Sequence, residues 1–159
     1  MNLNQIHNVY FIGIGGIGMS ALARYFKAKG KSVSGYDRTQ TEITDSLQTL
    51  GITVHFVDSV EHINPVFLDK DKTLVVYTPA VPGSHKELNY FMAHNFQVVK
   101  RSKVLGMITE NTFCLAVAGT HGKTTTTSIL GHLLNVCDVP LTAFLGGISE
   151  NYNSNLIIN

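Results

Sequence analysis

The regular alternation of short apolar segments with segments of helical period is the feature that most restricts the fold of this 159-residue chain. The first of these segments, "VYFIG" after Asn8, is hydrophobic without interruption, which indicates a strand buried on both faces, as in a parallel sheet. Strands are predicted at 8–13, 31–37, 52–56, 73–77, 96–100, 112–119 and 140–147, with helices at 17–30, 41–51, 84–95, 102–111 and beyond Gly122. The pattern predicts an α/β fold, a Rossmann-like doubly wound parallel sheet.

Local signals at the predicted helix ends support this interpretation. Gly30 stands where a helix beginning near residue 17 should stop. Thr41 is placed to cap the next helix, and Ser84 with Glu87 has the spacing of a capping box. These positions predict where three of the helices begin or end.

One domain boundary is expected, between Lys103 and Asn111. Residues 1–106 would form a complete nucleotide-binding domain of the Rossmann-like type. Residues 107–159 would be the incomplete start of a P-loop ATPase domain, since the chain ends about 35 residues beyond Lys123. The sheet edge that such a partial domain leaves exposed predicts that a homodimer is possible.

The stretch "GIGGIGMS" forms the first of two glycine-rich loops. Gly13, Gly15 and Gly18 make the GxGxxG spacing between a predicted strand and a predicted helix, where helix N–H groups can bind a phosphate. Asp37 follows Gly18 by 19 residues, at the end of the next strand, where a ribose-binding carboxylate is expected. The loop therefore predicts a site for a nucleotide or a diphosphate, and NAD is one candidate ligand.

The stretch "GTHGKTTTT" forms the second loop. A P-loop with the spacing GxxxxGK[ST] would need glycine at 117, where this chain has Val117, so the loop is a shortened relative that begins at Gly119. Lys123 is placed to contact the β- and γ-phosphates of ATP, and Thr124 to contribute an oxygen to Mg²⁺. His121 is a candidate donor to an anionic substrate.

Four successive threonines, 124–127, have low helix propensity at the place where a helix begins. Threonine costs about 0.5 kcal/mol per position relative to alanine inside a helix, or roughly 2 kcal/mol for the run. That cost falls in the first turn if the hydroxyl groups bind unpaired N–H groups, phosphates or a metal. The run thus supports the prediction of a phosphate site.

Composition excludes several classes of function. The net charge is +1 and the basic residues are scattered, which argues against nucleic acid as a partner. The N-terminus is not a signal peptide and no apolar run approaches 18 residues, so no membrane span is predicted and the cytoplasm is the expected location. Cys114 and Cys137 lack metal-site spacing and are expected to be buried, reduced thiols.

The order of the two loops, together with "SGYD" after the second strand and "LGG" at 145–147, resembles the Mur ligases along the whole chain. The resemblance implies a cytoplasmic enzyme of peptidoglycan synthesis with UDP-N-acetylmuramate, L-alanine and ATP as substrates and Mg²⁺ as cofactor. ATP would phosphorylate the lactyl carboxylate, and the amine of alanine would attack the resulting acyl phosphate.

The resemblance also implies a role for individual residues. Those implied to contact the UDP-sugar are Gly13, Gly15, Gly16, Ile17, Gly18, Met19, Ser20, Asp37, Thr78, Pro79 and Ala80. Those implied to hold ATP are Gly119, Thr120, His121, Gly122, Lys123, Thr124 and Thr125, with Lys123, Thr124 and His121 acting in catalysis and Thr124 on the metal.

Two alternatives remain open. A NAD-dependent dehydrogenase domain accounts for the first loop and Asp37 but gives the second loop no role. A non-enzymatic nucleotide-binding module would retain both loops without any reaction. Because no acidic metal ligand follows Thr124 at the expected place and no amino-acid-binding domain is present, these 159 residues alone are expected to lack ligase activity.

Overall fold

Five strands form a parallel sheet in a computed structural model that describes residues 3–110 and 112–159. The strands lie in the order β3-β2-β1-β4-β5, so β1 is central and Val9 pairs with Val33 on one side and Leu74 on the other. Their bounds are β1 Asn8–Ile12, β2 Ser32–Tyr36, β3 Thr53–His55, β4 Thr73–Tyr77 and β5 Gln97–Lys100. The predicted doubly wound parallel sheet is confirmed for this part of the chain.

Helices cover both faces of the sheet. Along β1, Val9 and Phe11 face α1, while Tyr10 and Ile12 face the opposite layer, as the two-residue period of a strand requires. The helices are α1 Ile17–Ala28, α2 Glu42–Thr49, α3 Lys86–Ala93, α4 Arg101–Thr109 and α5 Lys123–Val136. Short 3-10 turns at Val60–His62 and Pro65–Leu68 complete the layer that contains α3.

The last two strands form an antiparallel hairpin outside the parallel sheet. The hairpin consists of β6 Thr142–Ser149 and β7 Ser154–Ile158, so the strand predicted at 140–147 is confirmed but its parallel setting is wrong. Gly131 of α5 lies against it, because a Cβ at that glycine would be 3.1 Å from Ala143. The hairpin also contacts α1 and is therefore held between α1 and α5.

The strand predicted at 112–119 is absent from the described backbone. Phe113 is 92% exposed and Leu115 is 57% exposed, although the sequence is as apolar as β1. A strand needs a neighbour to pair with its N–H and C=O groups, and no described strand pairs with this segment. The missing pairing partner explains why hydrophobicity alone predicted the wrong state.

The predicted helix ends agree with the structure at two of three places. Gly30 follows the end of α1, and Thr41 caps α2 in a capping box with Thr44. The prediction for the cap of α3 is wrong, because His85 rather than Ser84 accepts the hydrogen bond from the N–H of Leu88. The side chain of Glu87 is instead buried, where it forms a hydrogen bond with Tyr10.

Two further expectations concern the end of the first domain and the cysteines. The predicted boundary after residue 106 falls inside α4, whose Val104 is buried in the core of the parallel sheet, and Asn111 lies outside the described residues. Cys114 and Cys137 are both exposed, so the expectation of buried thiols was wrong. Among residues 3–110 and 112–159, no helix has both the length and the apolar character needed to cross a membrane.

Candidate nucleotide-binding site

The first glycine loop, residues 13–18, is fixed to the second strand by backbone and side-chain hydrogen bonds. Gly13 has φ +86°, a conformation that favours glycine, and its N–H donates to the carbonyl of Tyr36 at 2.8 Å. The N–H of Gly15 donates to Oδ2 of Asp37 at 2.7 Å. The structure thus brings Asp37 to the loop, where its carboxylate holds the backbone.

Two other segments reach the same loop. A Cβ at Gly13 would be 2.9 Å from Cγ2 of Thr78, and a Cβ at Gly18 would be 2.9 Å from Nη1 of Arg101. Thr78 opens a turn in which its carbonyl accepts from the N–H of Val81 at 3.1 Å. Pro79 and Ala80 are exposed within that turn, at the carboxyl end of β4.

Arg101 was not among the residues singled out from the sequence. It begins α4 directly after β5, and the carboxyl ends of parallel strands meet at one edge of the sheet, where ligands bind in this fold. That position after the fifth strand is the signal that could have identified it. The guanidinium beside Gly18 adds a positive charge to the rim of the first glycine loop.

The start of α1 has the geometry of an anion site. Gly16 is the N-cap and has no side chain to accept from the first N–H groups, so those of Ile17 and Gly18 have no partner within the helix. The helix dipole adds positive potential at the same place. Met19 and Ser20 are buried behind this turn, with 2% and 0% exposure, and so they support the loop from inside.

The second glycine loop, residues 119–124, repeats this arrangement at the start of α5. Gly119 and Gly122 have φ of +152° and +76°, and Gly122 is an N-cap that provides no side-chain acceptor. Nζ of Lys123 donates to the carbonyls of Gly119 at 2.6 Å and Thr120 at 3.1 Å, which holds the ammonium group over the loop. His121 is exposed in the middle of the loop.

The "LGG" segment of β6 lies against the second loop. A Cβ at Gly146 would be 2.6 Å from Oγ1 of Thr124, and one at Gly147 would be 3.6 Å from Cγ2 of the same residue. Thr124 and Thr125 are both exposed at the start of α5. Glycine at 146 therefore leaves the space that the Thr124 hydroxyl occupies.

A cavity of about 390 Å³ lies between helices α1 and α4 on one side and strand β6 of the hairpin on the other. One wall belongs to the first glycine loop and the helices around it, and the other belongs to the hairpin. The lining residues that matter here are Gly18, Arg101, Leu105, Phe144, Leu145 and Gly146. The cavity thus extends from a residue of the first loop to a glycine in contact with the second.

The described residues offer a partial fit to Mg²⁺. Thr124 is an exposed residue that follows Lys123 and has a hydroxyl oxygen to offer, and Mg²⁺ bound with a nucleotide takes most of its other ligands from phosphates and water. No group of three or more His, Cys, Asp or Glu side chains with metal-binding geometry occurs within residues 3–110 and 112–159. Thr124 is therefore the side chain that would contact the ion here.

A parallel α/β sheet with two glycine loops, each at the uncapped start of a helix, is the architecture of a nucleotide-binding protein. Residues 8–112 match the Mur ligase family, catalytic domain. This match covers well over half of the chain, and the chain belongs to that family.

Curated relatives carry the name UDP-N-acetylmuramate–L-alanine ligase. The protein from Flavobacterium psychrophilum is 64% identical over 157 residues, and the one from Parabacteroides distasonis is 57% identical over 159 residues. These alignments cover 99% and 100% of this chain but only 35% and 34% of the relatives. The chain thus spans about a third of the length of the relatives it matches.

Solved structures show the same architecture. The crystal structure of UDP-N-acetylmuramate-alanine ligase from Thermotoga maritima superposes with a TM-score of 0.84 at 34% identity, covering 96% of this chain and 35% of that one. A UDP-N-acetylmuramate:L-alanyl-γ-D-glutamyl-meso-diaminopimelate ligase from Neisseria superposes with a TM-score of 0.79 at 27% identity, covering 95% of this chain and 46% of that one. The arrangement of the sheet and the hairpin is therefore shared within the family.

Proposed function

We propose that the chain is the N-terminal part of an ATP-dependent ligase that joins L-alanine to the lactyl carboxylate of UDP-N-acetylmuramate. The observation that carries this proposal is the presence of two glycine loops on one chain, each at the uncapped start of a helix, with a cavity that extends from Gly18 of the first loop to Gly146, which packs against Thr124 of the second. A ligase of this kind needs one site for the diphosphate of the sugar nucleotide and another for ATP. The relatives named above support the choice of substrates.

The first glycine loop would bind the UDP diphosphate. The free N–H groups at the start of α1 and the guanidinium of Arg101 supply donors and positive charge, and Gly16 leaves the approach to them open. Asp37 holds the loop through the N–H of Gly15, and the turn at Thr78 closes its other side. These contacts would preorganise the loop before the substrate binds.

The second glycine loop would bind ATP. The N–H groups at the start of α5 and the ammonium group of Lys123 would contact the β- and γ-phosphates, and Lys123 would stabilise charge that develops during transfer to the carboxylate. Thr124 would hold Mg²⁺, which when bound neutralises phosphate charge. His121 would lie near the substrate carboxylate.

The contacts of Asp37 support the ligase over a dehydrogenase. Its two carboxylate oxygens already accept from the N–H groups of Gly15, at 2.7 Å, and Thr39, at 3.2 Å. In a NAD site, the equivalent acid binds the ribose hydroxyls. A carboxylate that fastens the loop to the end of β2 fits a diphosphate site without requiring NAD.

Calorimetric titration with UDP-N-acetylmuramate, with NADH as the parallel ligand, tests the proposal. We expect saturable binding of the sugar nucleotide and none of NADH. Gly16→Val should weaken that binding more than ten-fold, because its side chain would stand among the free N–H groups, while the nearest atom to its Cβ, at 3.6 Å, leaves the fold room to accept it.

Gly106→Ala is the matched control, because a Cβ there meets nothing within 4 Å. Binding of NADH without UDP-N-acetylmuramate would overturn the ligase proposal. Amide formation by these 159 residues alone would overturn the expectation that further domains are needed for the reaction.

Two finer proposals accompany the function. The cytoplasm is the proposed location, since that is where an enzyme of this kind finds ATP and nucleotide sugars. A homodimer is proposed through a strand edge of the β6–β7 hairpin, where the two strands pair only with each other among the described residues. Sedimentation equilibrium over a range of protein concentrations tests the second of these.

A further inference from the structure

We propose that Asn155 is a positioning residue that couples the two phosphate sites through the β6–β7 hairpin. This inference rests on the proposed function, because it concerns how the sugar-nucleotide site and the ATP site influence each other. Asn155 contacts the first glycine loop only at the carbonyl of Ile17, and it would act through the first turn of α1.

The side chain of Asn155 forms hydrogen bonds with the start of α1, although Asn155 is 135 residues from Ser20 in the sequence. Its Nδ2 donates to the carbonyl of Ile17 at 2.6 Å and to Oγ of Ser20 at 2.8 Å. Oγ of Ser20 also donates to the carbonyl of Ile17, at 3.0 Å. Asn155 therefore binds the turn whose outward N–H groups form the first phosphate site.

The orientation of this amide follows from its partners. A carbonyl oxygen only accepts, so the atom that faces Ile17 must be the donor nitrogen. Both Asn155 and Ser20 are fully buried, with 0% exposure, and Oδ1 of Asn155 has no hydrogen-bond partner among the described residues. A buried polar atom without a partner costs about 1–3 kcal/mol. The contact with α1 is thus kept at some expense in stability.

The other strand of the hairpin reaches the second phosphate site. Gly146 of β6 is packed against Oγ1 of Thr124, the residue after Lys123. β6 and β7 are joined by antiparallel pairing in which Phe144 lies opposite Leu156, the neighbour of Asn155. Phe144 also contacts Tyr25 of α1, with ring centroids 5.5 Å apart. A movement of Thr124 that displaces β6 is therefore transmitted to the start of α1.

This continuity predicts reciprocal coupling of the two ligands. A phosphate and Mg²⁺ on Thr124 would fix its hydroxyl group, and through it Gly146 and the hairpin. Asn155 would then hold the first turn of α1 in one place, which lowers the entropy lost when the diphosphate binds. Linkage requires that the diphosphate strengthen the binding of the ATP analogue by the same factor.

The experiment is a calorimetric titration of the chain with UDP-N-acetylmuramate, without and with a saturating non-hydrolysable ATP analogue and Mg²⁺. We expect the analogue to tighten binding at least five-fold in the wild type, within the usual range of allosteric coupling. In Asn155→Ala, the ratio of the affinities for UDP-N-acetylmuramate with and without the analogue should fall to about one. The affinity for each ligand alone should change less than three-fold. A residue that only stabilised the fold would lower both affinities and leave the ratio unchanged.

Asn151→Ala is the matched control, since Asn151 is an exposed asparagine in the turn of the same hairpin. Coupling that persists in Asn155→Ala, or that is absent from the wild type, would overturn the inference and leave the proposed function intact. If the wild type does not bind UDP-N-acetylmuramate at all, the proposed function fails and the inference fails with it.

A second measurement decides the matter if Asn155→Ala does not fold. Hydrogen exchange of the wild type is followed with and without the ATP analogue and Mg²⁺. We expect the analogue to slow exchange in residues 17–20 as well as in the second glycine loop. Slower exchange confined to the second loop would contradict coupling through Asn155.

Discussion

Tyr10 and Glu87 are 77 residues apart in the chain, and their side chains form a buried hydrogen bond in which Oη of Tyr10 lies 2.8 Å from Oε2 of Glu87. The same hydroxyl lies 2.6 Å from Nε2 of His55, whose Nδ1 faces the carbonyl of Val57 at 3.0 Å. The hydroxyl of Tyr10 donates to the carboxyl group of Glu87, and Nδ1 of His55 donates to the carbonyl of Val57, which can only accept.

Burial is the main reason that the pKa of Glu87 is raised to about 7, and Asp58 adds repulsion, while hydrogen bonds from Tyr10 and Ser59 oppose the rise. Burial lowers the pKa of both His55 and His85. The neutral forms of the acid and the histidines are therefore favoured together in this layer.

The first prediction concerns the pH dependence of stability. A carboxyl group with a raised pKa binds more protons in the folded state, so its contribution to the free energy of unfolding is lost as the pH rises from 4.5 to about 7. At about 1.4 kcal/mol per pKa unit, the rise from 4.5 to about 7 corresponds to a loss of about 3 kcal/mol in the free energy of unfolding. Glu87→Gln removes this loss. In urea unfolding, the free energy of unfolding of the variant should therefore rise relative to that of the wild type between pH 5 and pH 8.

Comparison with the wild type isolates Glu87 from its neighbours. The lowered pKa of His55 and His85 makes stability rise with pH up to about 6.5, which is the opposite sign and is common to both proteins. Glu61→Gln, at an exposed glutamate, should show no pH-dependent difference. A difference between Glu87→Gln and wild type that stays constant with pH would contradict the assignment.

The second prediction concerns contact between β6 and the second glycine loop. Gly146→Ala places a methyl group 2.6 Å from Oγ1 of Thr124, closer than real Cβ contacts, so the hydroxyl must move. We expect the affinity for the ATP analogue with Mg²⁺ to fall about ten-fold or more. Gly147→Ala is the matched control, because its methyl group would meet Thr124 at an ordinary 3.6 Å. Equal affinities for the two variants would show that the Thr124 hydroxyl does not bind the metal or nucleotide.

The third prediction concerns the cap of α2. Thr41 accepts from the N–H of Thr44, and Oγ1 of Thr44 accepts from the N–H of Thr41. Thr41→Ala should lower the free energy of unfolding by about 1 kcal/mol, the usual cost of losing such a cap. Thr49→Ala, in the last turn of the same helix, should change it by less than half of that amount. Equal losses in the two variants, measured by urea unfolding, would contradict a capping role.

The parts of the fold that local patterns dictate could be predicted from the sequence. Continuous apolar runs such as 8–13 identify strands of the parallel sheet because both faces of those strands are buried. The segment 112–119 is similarly apolar and forms no strand, because strand formation depends on a pairing partner elsewhere in the chain. Single-segment hydrophobicity contains no information about that partner.

The candidate site divides in the same way. The two glycine loops and Lys123 follow from spacing, since the chemistry of phosphate binding fixes which residues must be adjacent. Arg101 and Asn155 reach the first glycine loop and the start of α1 only through tertiary packing, from other elements of the fold. The same is true of Glu87, whose predicted capping role gave way to a bond with Tyr10 across the sheet layer.

The fourth prediction contrasts two glycines that differ in their surroundings. Gly35 lies in β2 beside β1, and a Cβ there would overlap the backbone carbonyl oxygen of Phe11, which cannot move without breaking the sheet. Gly35→Ala should therefore lower the free energy of unfolding by more than about 3 kcal/mol, in the range of strained core substitutions. Gly106 lies in α4 with open space around it, and Gly106→Ala should raise stability by about 0.5–1 kcal/mol through helix propensity. Urea unfolding should show changes of opposite sign in the free energy of unfolding of the two variants. Changes of the same sign would contradict the tight approach of β2 to β1.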